Sequence, residues 1–345
     1  MKSWSRRLCL AASIISVLIL SACGGGAASG SGGGNIPLKI MVGGMSKQIY
    51  LPNELTQQLG YFKQEGLDVT LIDEASGQSS ENSVLAGQVD AGSGSYNHTI
   101  ELQAAGKKMQ CVVQLDVAPG ETEIVSAKEA NQIHSVADLK GKNLGVTELG
   151  SGTQTLTTVL LHKVGVSQSQ VHFLPVGAGD TFIAAMQQGK IDAGMTTEPT
   201  TSRLLSTGVG KVLADLRTPQ TTQQAVGGPY PFICVFMNND YVAAHPATTQ
   251  KIVNAYTKTL KWMHTHTAAE IAAKMPADYY AGNKPLYVSA LQNQLQMFSP
   301  DGSMPNGGPE SVLATEKETN QSVQQAKQID LSATYTNQFV NKAGK

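Results

Sequence analysis

The chain has 345 residues, enough for two ordinary domains, with 25 Lys plus Arg against 26 Asp plus Glu. A net charge of -1 supplies neither a basic surface for nucleic acid nor an acidic solvating tail. Hydrophobic residues make up 41% and charged residues 15%, which excludes global disorder and allows a substantial core.

Lys2, Arg6 and Arg7 precede the apolar run LCLAASIISVLIL, Leu8 to Leu20. A run of about 13 residues is short for a membrane span and suits a secretory signal. It ends in Leu20-Ser21-Ala22-Cys23, which resembles a bacterial lipobox. The expectation is a signal peptide over 1–22, cleaved before Cys23, whose thiol is then lipidated. An ordinary secretory signal is the alternative. Gly24 to Gly34 (GGGAASGSGGG) has the composition of a flexible tether. Residues 23–35 then tie a folded body to the outer face of the cytoplasmic membrane, through the lipid alone. Cys9 leaves with the signal. Cys111 and Cys234 remain, each in an apolar strand-like run, MQCVVQL and PFICVFM. They either pair as a disulfide or stay as two buried thiols.

The body begins near Ile36. Strands are expected at Pro37–Val42, Leu67–Ile72, Val89–Ala91 and Cys111–Leu115. Helices are expected at Tyr50–Glu65, Gln78–Ala86 and up to Ala105. The alternation indicates βαβ units and a mainly parallel sheet. It restarts with a short helix at Val136–Lys140, strands at Leu144–Val146, Val171–Pro175 and Ile191–Ala193, and helices at Gly152–Val164 and Thr181–Gln188. One internal echo links the halves: LAGQVDAG, Leu85 to Gly92, resembles MQQGKIDAG, Met186 to Gly194. After the PFICVFM strand the chain is helical: Pro246–His264, Ala268–Lys274, Leu286–Phe298 and Glu310–Ile329. Such a tail cannot form a third α/β unit and is expected to pack on the first.

No nucleophile elbow, H-E-x-x-H, paired C-x-x-C or P-loop occurs. His264 and His266, two apart on a helix, face different sides and cannot share a metal there. The reading is a non-enzyme with no cofactor and no metal. The loops beyond the strand ends hold small polar residues instead: Ser46 and Lys47, then Ser76 to Ser80, then Ser93 to Asn97, with Gly150 to Gln154, Gly177 to Asp180 and Thr196 to Pro199 in the second half. Ligands collect at such loops in open α/β sheets. Plain helix capping is the competing role for each. Glu198 is open between a capping role and an acceptor for a ligand N–H or positive group.

The run LGYFKQEGLDV, Leu59 to Val69, resembles a segment of ABC-transporter solute-binding proteins of the nitrate/sulfonate/taurine type, a family that includes thiamine-precursor pyrimidine binders. Leu85–Gly92, VADLKGKNLGV at Val136–Val146, and Gly189–Gly194 with Glu198-Pro199 resemble its further landmarks in order. The resemblance implies an α/β, type II periplasmic-binding-protein fold: two α/β lobes joined by two crossing strands, with the helical C-terminal tail on lobe one. Lobe one is then 36–117 plus 230–345, and lobe two 118–229. It places Cys111 and Cys234 on adjacent strands. It implies ligand contacts at Ser46, Tyr50, Gln78, Ser79, Ser95, Tyr96, Ser151, Gly152, Thr153, Gln154 and Glu198. Thr197 stands where the family often has an aromatic residue, and no Arg lies in these loops, leaving Lys47 as the candidate cation. The implied function is capture of a small polar molecule by hinge closure and delivery to the permease of an ABC importer, by a monomer that binds no nucleic acid. A pyrimidine-synthesising enzyme on the same fold is one alternative. A sensory ligand-binding module is the other, for which residues 331–345 leave little room.

Overall fold

The structure, a computed structural model, describes residues 34–343. The expected signal peptide, lipidated Cys23 and most of the tether lie outside the described residues. No helix among the described residues is long and apolar enough to cross a membrane.

The first lobe opens with β1 (Ile36–Val42), followed by α1 (Leu51–Gln58), α2 (Tyr61–Gln64) and β2 (Leu67–Asp73). Then come α3 (Gly77–Leu85), β3 (Ala91–Ser95), α4 (Asn97–Ala104) and β4 (Met109–Gln114). The single helix expected at Tyr50–Glu65 is two, because Gly60 adopts a left-handed φ of 73° between them. The chain crosses to the second lobe and forms β5 (Glu121–Ser126), β6 (Asn143–Val146), α5 (Gly152–Lys163) and β7 (His172–Pro175). Next are α6 (Asp180–Gln187), β8 (Ala193–Thr197), α7 (Thr200–Ser206), β9 (Gly210–Leu216) and α8 (Pro219–Val226). It returns as β10 (Ile233–Asn238).

The sheets run β2-β1-β3-β10-β4 and β7-β6-β8-β5-β9. β1 pairs parallel with β2 and β3, and β6 parallel with β7 and β8. In each sheet the fourth strand, β10 or β5, follows directly on a crossing from the other lobe and runs antiparallel to both neighbours. The sequence echo falls on β3 and β8, which hold the same third place. Both begin two residues later than expected, at Ala91 and Ala193, so the small residues read as loop are strand. Close packing explains their size. A Cβ on Gly92 would stand 2.4 Å from Phe236 Cε2, and one on Gly194 would stand 2.6 Å from the Gly145 carbonyl oxygen.

The tail comprises α9 (Asn239–Ala244), α10 (Pro246–Met263), α11 (Ala268–Ala272), α12 (Lys284–Gln294), α13 (Gly308–Thr319) and α14 (Gln321–Gln325). It packs on the first lobe, as expected: α10 lies against α1, α2 and β4, and α14 against α4. Tyr256 of α10 meets Phe62 of α2 edge-on and donates from its hydroxyl to Asn53 Oδ1 of α1 at 2.7 Å. The tail also reaches the second lobe, where α12 touches α7 and α13 touches α5.

Cys111 and Cys234 do lie on adjacent strands, β4 and β10. Both thiols are free and buried, so the disulfide left open above is not formed. The ladder sets Cys111 opposite Phe236 and Cys234 opposite Gln114. The two cysteines are therefore offset across a register shift and not directly paired, and they stand as neighbouring free thiols.

Candidate ligand-binding site

The loops after the parallel strands of both sheets meet at one cleft. Its lining holds Tyr50, Ser76 and Ser95 from the first lobe, and Glu121, Thr147, Ser151, Gly152 and Thr153 from the second. Lys47, Ile49, Gly77 and Phe232 complete it.

On the first lobe, β1 runs into Gly43 and Gly44. A Cβ on Gly43 would stand 2.4 Å from Gly77 N and 2.6 Å from the Tyr50 hydroxyl, so only glycine lets these three segments meet. Lys47 turns back and donates from Nζ to the carbonyls of Gly43 at 2.8 Å and Ala75 at 2.9 Å. Burial pulls its pKa down to about 8, against the charges of Glu121, Asp73 and Glu148. Ser76 caps α3, accepting from Ser79 N at 3.3 Å. Ser95 ends β3 at the cleft floor.

On the second lobe, the first turn of α5 is tied by hydroxyls. Thr153 Oγ1 lies 2.7 Å from both Thr147 Oγ1 and Ser151 Oγ, and accepts from Thr147 N at 3.0 Å. Ser151 Oγ donates to the Glu148 carbonyl at 2.6 Å. Gly152 must be small, since a Cβ there would stand 2.6 Å from Phe232 Cζ and 2.8 Å from Ser95 Oγ, both across the cleft. Burial pushes the Glu121 carboxyl up to about 8, against the pull of Lys47. Asp116, just behind the crossing, is held well above the usual carboxyl range by burial and by Glu121.

The lobes touch across this site. Ser76 Oγ and Ser79 Oγ both donate to Glu148 Oε2, the second at 2.9 Å. Gln48 N donates to the Glu198 carbonyl at 2.9 Å. The cavity left is about 10 Å³, roughly the space of one water. In this arrangement the cleft has no room for a larger molecule.

Of the expected contact residues, Tyr50, Ser95, Ser151, Gly152 and Thr153 line the cleft. Ser79 and Gln78 stand at its rim instead: Ser79 bonds Glu148, and Gln78 Oε1 would lie 3.3 Å from a Cβ on Gly150. Ser46 is exposed outside the lining. Tyr96 is turned away, its hydroxyl 2.6 Å from Thr334 Oγ1 in the C-terminal segment. Gln154 accepts from Gly150 N at 2.7 Å and faces a separate hollow with Glu101 and Glu316. Glu198 is fully buried, but its carboxylate is taken: Oε2 accepts from Ser202 N at 2.9 Å, and Oε1 accepts from Arg217 at 3.1 Å. The capping reading of Glu198 is the one the geometry supports. Glu121 and Phe232 were not singled out from sequence. Both sit on the crossings, marked only by Pro119-Gly120 and by Gly228-Pro229-Tyr230-Pro231 beside them.

The sequence profile of the NMT1/THI5 like family matches residues 52–269, more than half of the chain. The chain belongs to the NMT1/THI5-like family. Within reach of this family stands the 4-amino-5-hydroxymethyl-2-methylpyrimidine phosphate synthase THI13 of Saccharomyces cerevisiae, 24% identical over 219 residues, 62% of this chain and 63% of that protein. The NMT1/THI5-like chain thus spans less than two thirds of the length of the curated synthases it matches. A solved protein of Bordetella bronchiseptica RB50 is 33% identical, with a TM-score of 0.85 over 89% of this chain and 96% of that one. The alkanesulfonate-binding protein SsuA of Xanthomonas axonopodis pv. citri, solved bound to MOPS, is 19% identical, with a TM-score of 0.68 over 88% of this chain and 99% of that one. The fold of this NMT1/THI5-like protein is that of the periplasmic binding proteins, as its sequence landmarks implied.

Proposed function

We propose that this protein is an extracytoplasmic solute receptor that closes on one small polar molecule and hands it to the permease of an ABC importer. The observation that carries this reading is the cleft itself. Hydroxyls, backbone and single charged groups from the two lobes converge on one point, and the lobes are joined there by two short crossings. Binding a solute to both walls stabilises the closed arrangement over the open one, and a partner that recognises only the closed form then reads occupancy. The lipobox-like Leu20–Cys23 and the glycine run after it support anchoring through a lipid on Cys23 and a location outside the cytoplasmic membrane. The protein acts as a monomer, with no cofactor.

Small-angle scattering tests the reading. The refolded protein is expected to contract on adding its solute, with one solute bound per chain. The likeness to the yeast synthase supports a second reading, catalysis on the same fold. That reading predicts a released, altered product, whereas a receptor returns its solute unchanged on denaturation.

A further inference from the structure

Outside the cleft, a hollow of about 270 Å³ lies between α5 of the second lobe and α4, α13 and α14 of the first. Hydroxyls and side-chain amides make up most of its wall, and its charged lining residues among the described ones are two acids, Glu101 and Glu316. Glu316 is 0% exposed, and no donor is placed to bond either of its carboxyl oxygens. Buried acceptors left unpaired are costly and therefore few in native structures. Burial and the charge of Glu101 push the Glu316 carboxyl well above the usual range, and a proton held there is shared with Glu101. That leaves one oxygen of Glu316 still without a donor. Glu101 is held in place by its own helix: Asn97 Nδ2 donates to Oε1 at 2.8 Å, and His98 Nδ1 stands 3.4 Å from Oε2. His98 is also 3.4 Å from Glu81 and forms no ion pair with Glu316. The hydroxyl of Tyr230, on the second crossing beside Glu316 and Glu101, is unpaired as well.

We infer that this hollow is a second binding site, for a small primary ammonium compound whose cationic head sits between Glu316 and Glu101. An ammonium brings three N–H donors and no acceptor, which is what two neighbouring carboxyls lack. It takes the place of the shared proton, which passes to solvent. A wall without a basic residue repels an anion, and one without large apolar side chains offers little to an apolar molecule. The volume is far more than one water occupies, which suits a molecule rather than a bare ion. Thr155 and Thr158 of α5 and Gln168 border the rest of the molecule from the second lobe. The bound compound thus touches both lobes. The inference goes beyond the function proposed above and does not rest on it.

The test is calorimetric titration of the refolded protein in an amine-free buffer at fixed ionic strength. The probes are putrescine, ethanolamine, tetramethylammonium, 1,4-butanediol and calcium chloride. The expected result is saturable binding of putrescine or ethanolamine, one per chain, at least ten-fold tighter than any of the other three. Tetramethylammonium carries the charge without an N–H, and the diol carries hydroxyls without the charge. Glu316→Gln is expected to weaken amine binding at least ten-fold. Thr155→Tyr, at a half-buried position on α5, fills the hollow from the other lobe and is expected to do the same. Each variant is read only with an unfolding midpoint near that of the wild type, and the comparison among probes needs the wild type alone. Wild-type affinity in either folded variant overturns the inference. So does calcium, tetramethylammonium or the diol binding as tightly as the amines, or no binding of either amine.

Discussion

Ser79 on α3 donates to Glu148 Oε2 across the cleft at 2.9 Å, and Ser76 donates to the same oxygen. One carboxylate of the second lobe thus holds the mouth of α3 in the first. Charge-assisted bonds of this kind contribute about 1.5–3 kcal/mol when shielded and less at a partly exposed rim. Glu148→Ala is expected to shift the unliganded protein toward an open form and to weaken solute binding about ten-fold, close to 1.4 kcal/mol. Scattering radius and titration check this. An unchanged radius and affinity would show that the serines hold nothing shut.

Gly152 is a point of close approach between the lobes. Its missing Cβ leaves room for Phe232 and Ser95 of the opposite lobe. Gly152→Val is expected to leave each lobe folded, with a Tm change of a few degrees, while lowering affinity by roughly 100-fold because the lobes cannot meet. Thermal unfolding and titration together separate these effects. Wild-type affinity in this variant would contradict the closure geometry.

Glu198 illustrates the opposite case, a conspicuous carboxylate with a structural task. It caps Ser202 and pairs with Arg217 while fully buried. Removing it leaves the buried Ser202 N without its acceptor and Arg217 with Asp215 alone. Glu198→Ala is expected to lower stability by about 1–3 kcal/mol, with affinity held within about three-fold. Denaturant unfolding and titration check it. A large affinity loss at unchanged stability would return Glu198 to the ligand.

Stability should fall as pH rises from about 4.5 to about 8. Glu123 is fully buried, with Oε1 unpaired and Oε2 accepting from Thr157 at 2.8 Å. Burial pushes its pKa from 4.5 up to about 8, eased by Thr157. The folded state keeps a proton that the unfolded chain has lost over this window, so each rise in pH favours unfolding, by at most about 1.4 kcal/mol per pH unit per group. Glu121 and Asp116 act in the same direction. Lys47, lowered to about 8, acts only above that pH. Unfolding midpoints at pH 5, 6, 7 and 8 should decline in the wild type and decline less in Glu123→Gln. Equal slopes would contradict the buried-acid account.

Much of this was legible in the chain because it was written in periodicity. β1, β2, α5 and α10 came from apolar spacing, and the paired Asp-Ala-Gly echoes marked equivalent strands in two sheets. β9, α7 and α8 were passed over: Gly210–Leu216 is a half-buried strand, and α7 and α8 are short and rich in Thr and Gln. The site was legible at Ser151, Gly152 and Thr153, where a helix start faces a strand end. It was not legible at Glu121 and Phe232. Their place at the cleft depends on how two crossings bring distant segments together, which no local pattern records. Tyr96 and Gln154 sit in the right loops, but a side chain's direction depends on neighbours such as Thr334 and Gly150.

The central claim, reversible capture of one small solute, is most directly met by a thermal-shift screen of the refolded protein. The panel spans taurine, alkanesulfonates, nitrate, bicarbonate, aminopyrimidines, amidines and amino acids. A true ligand at about 100 times its Kd adds roughly 2.7 kcal/mol, a rise of several degrees in a body of this size. The account predicts one chemical class with a saturable rise. A flat response across the whole panel after refolding would contradict it.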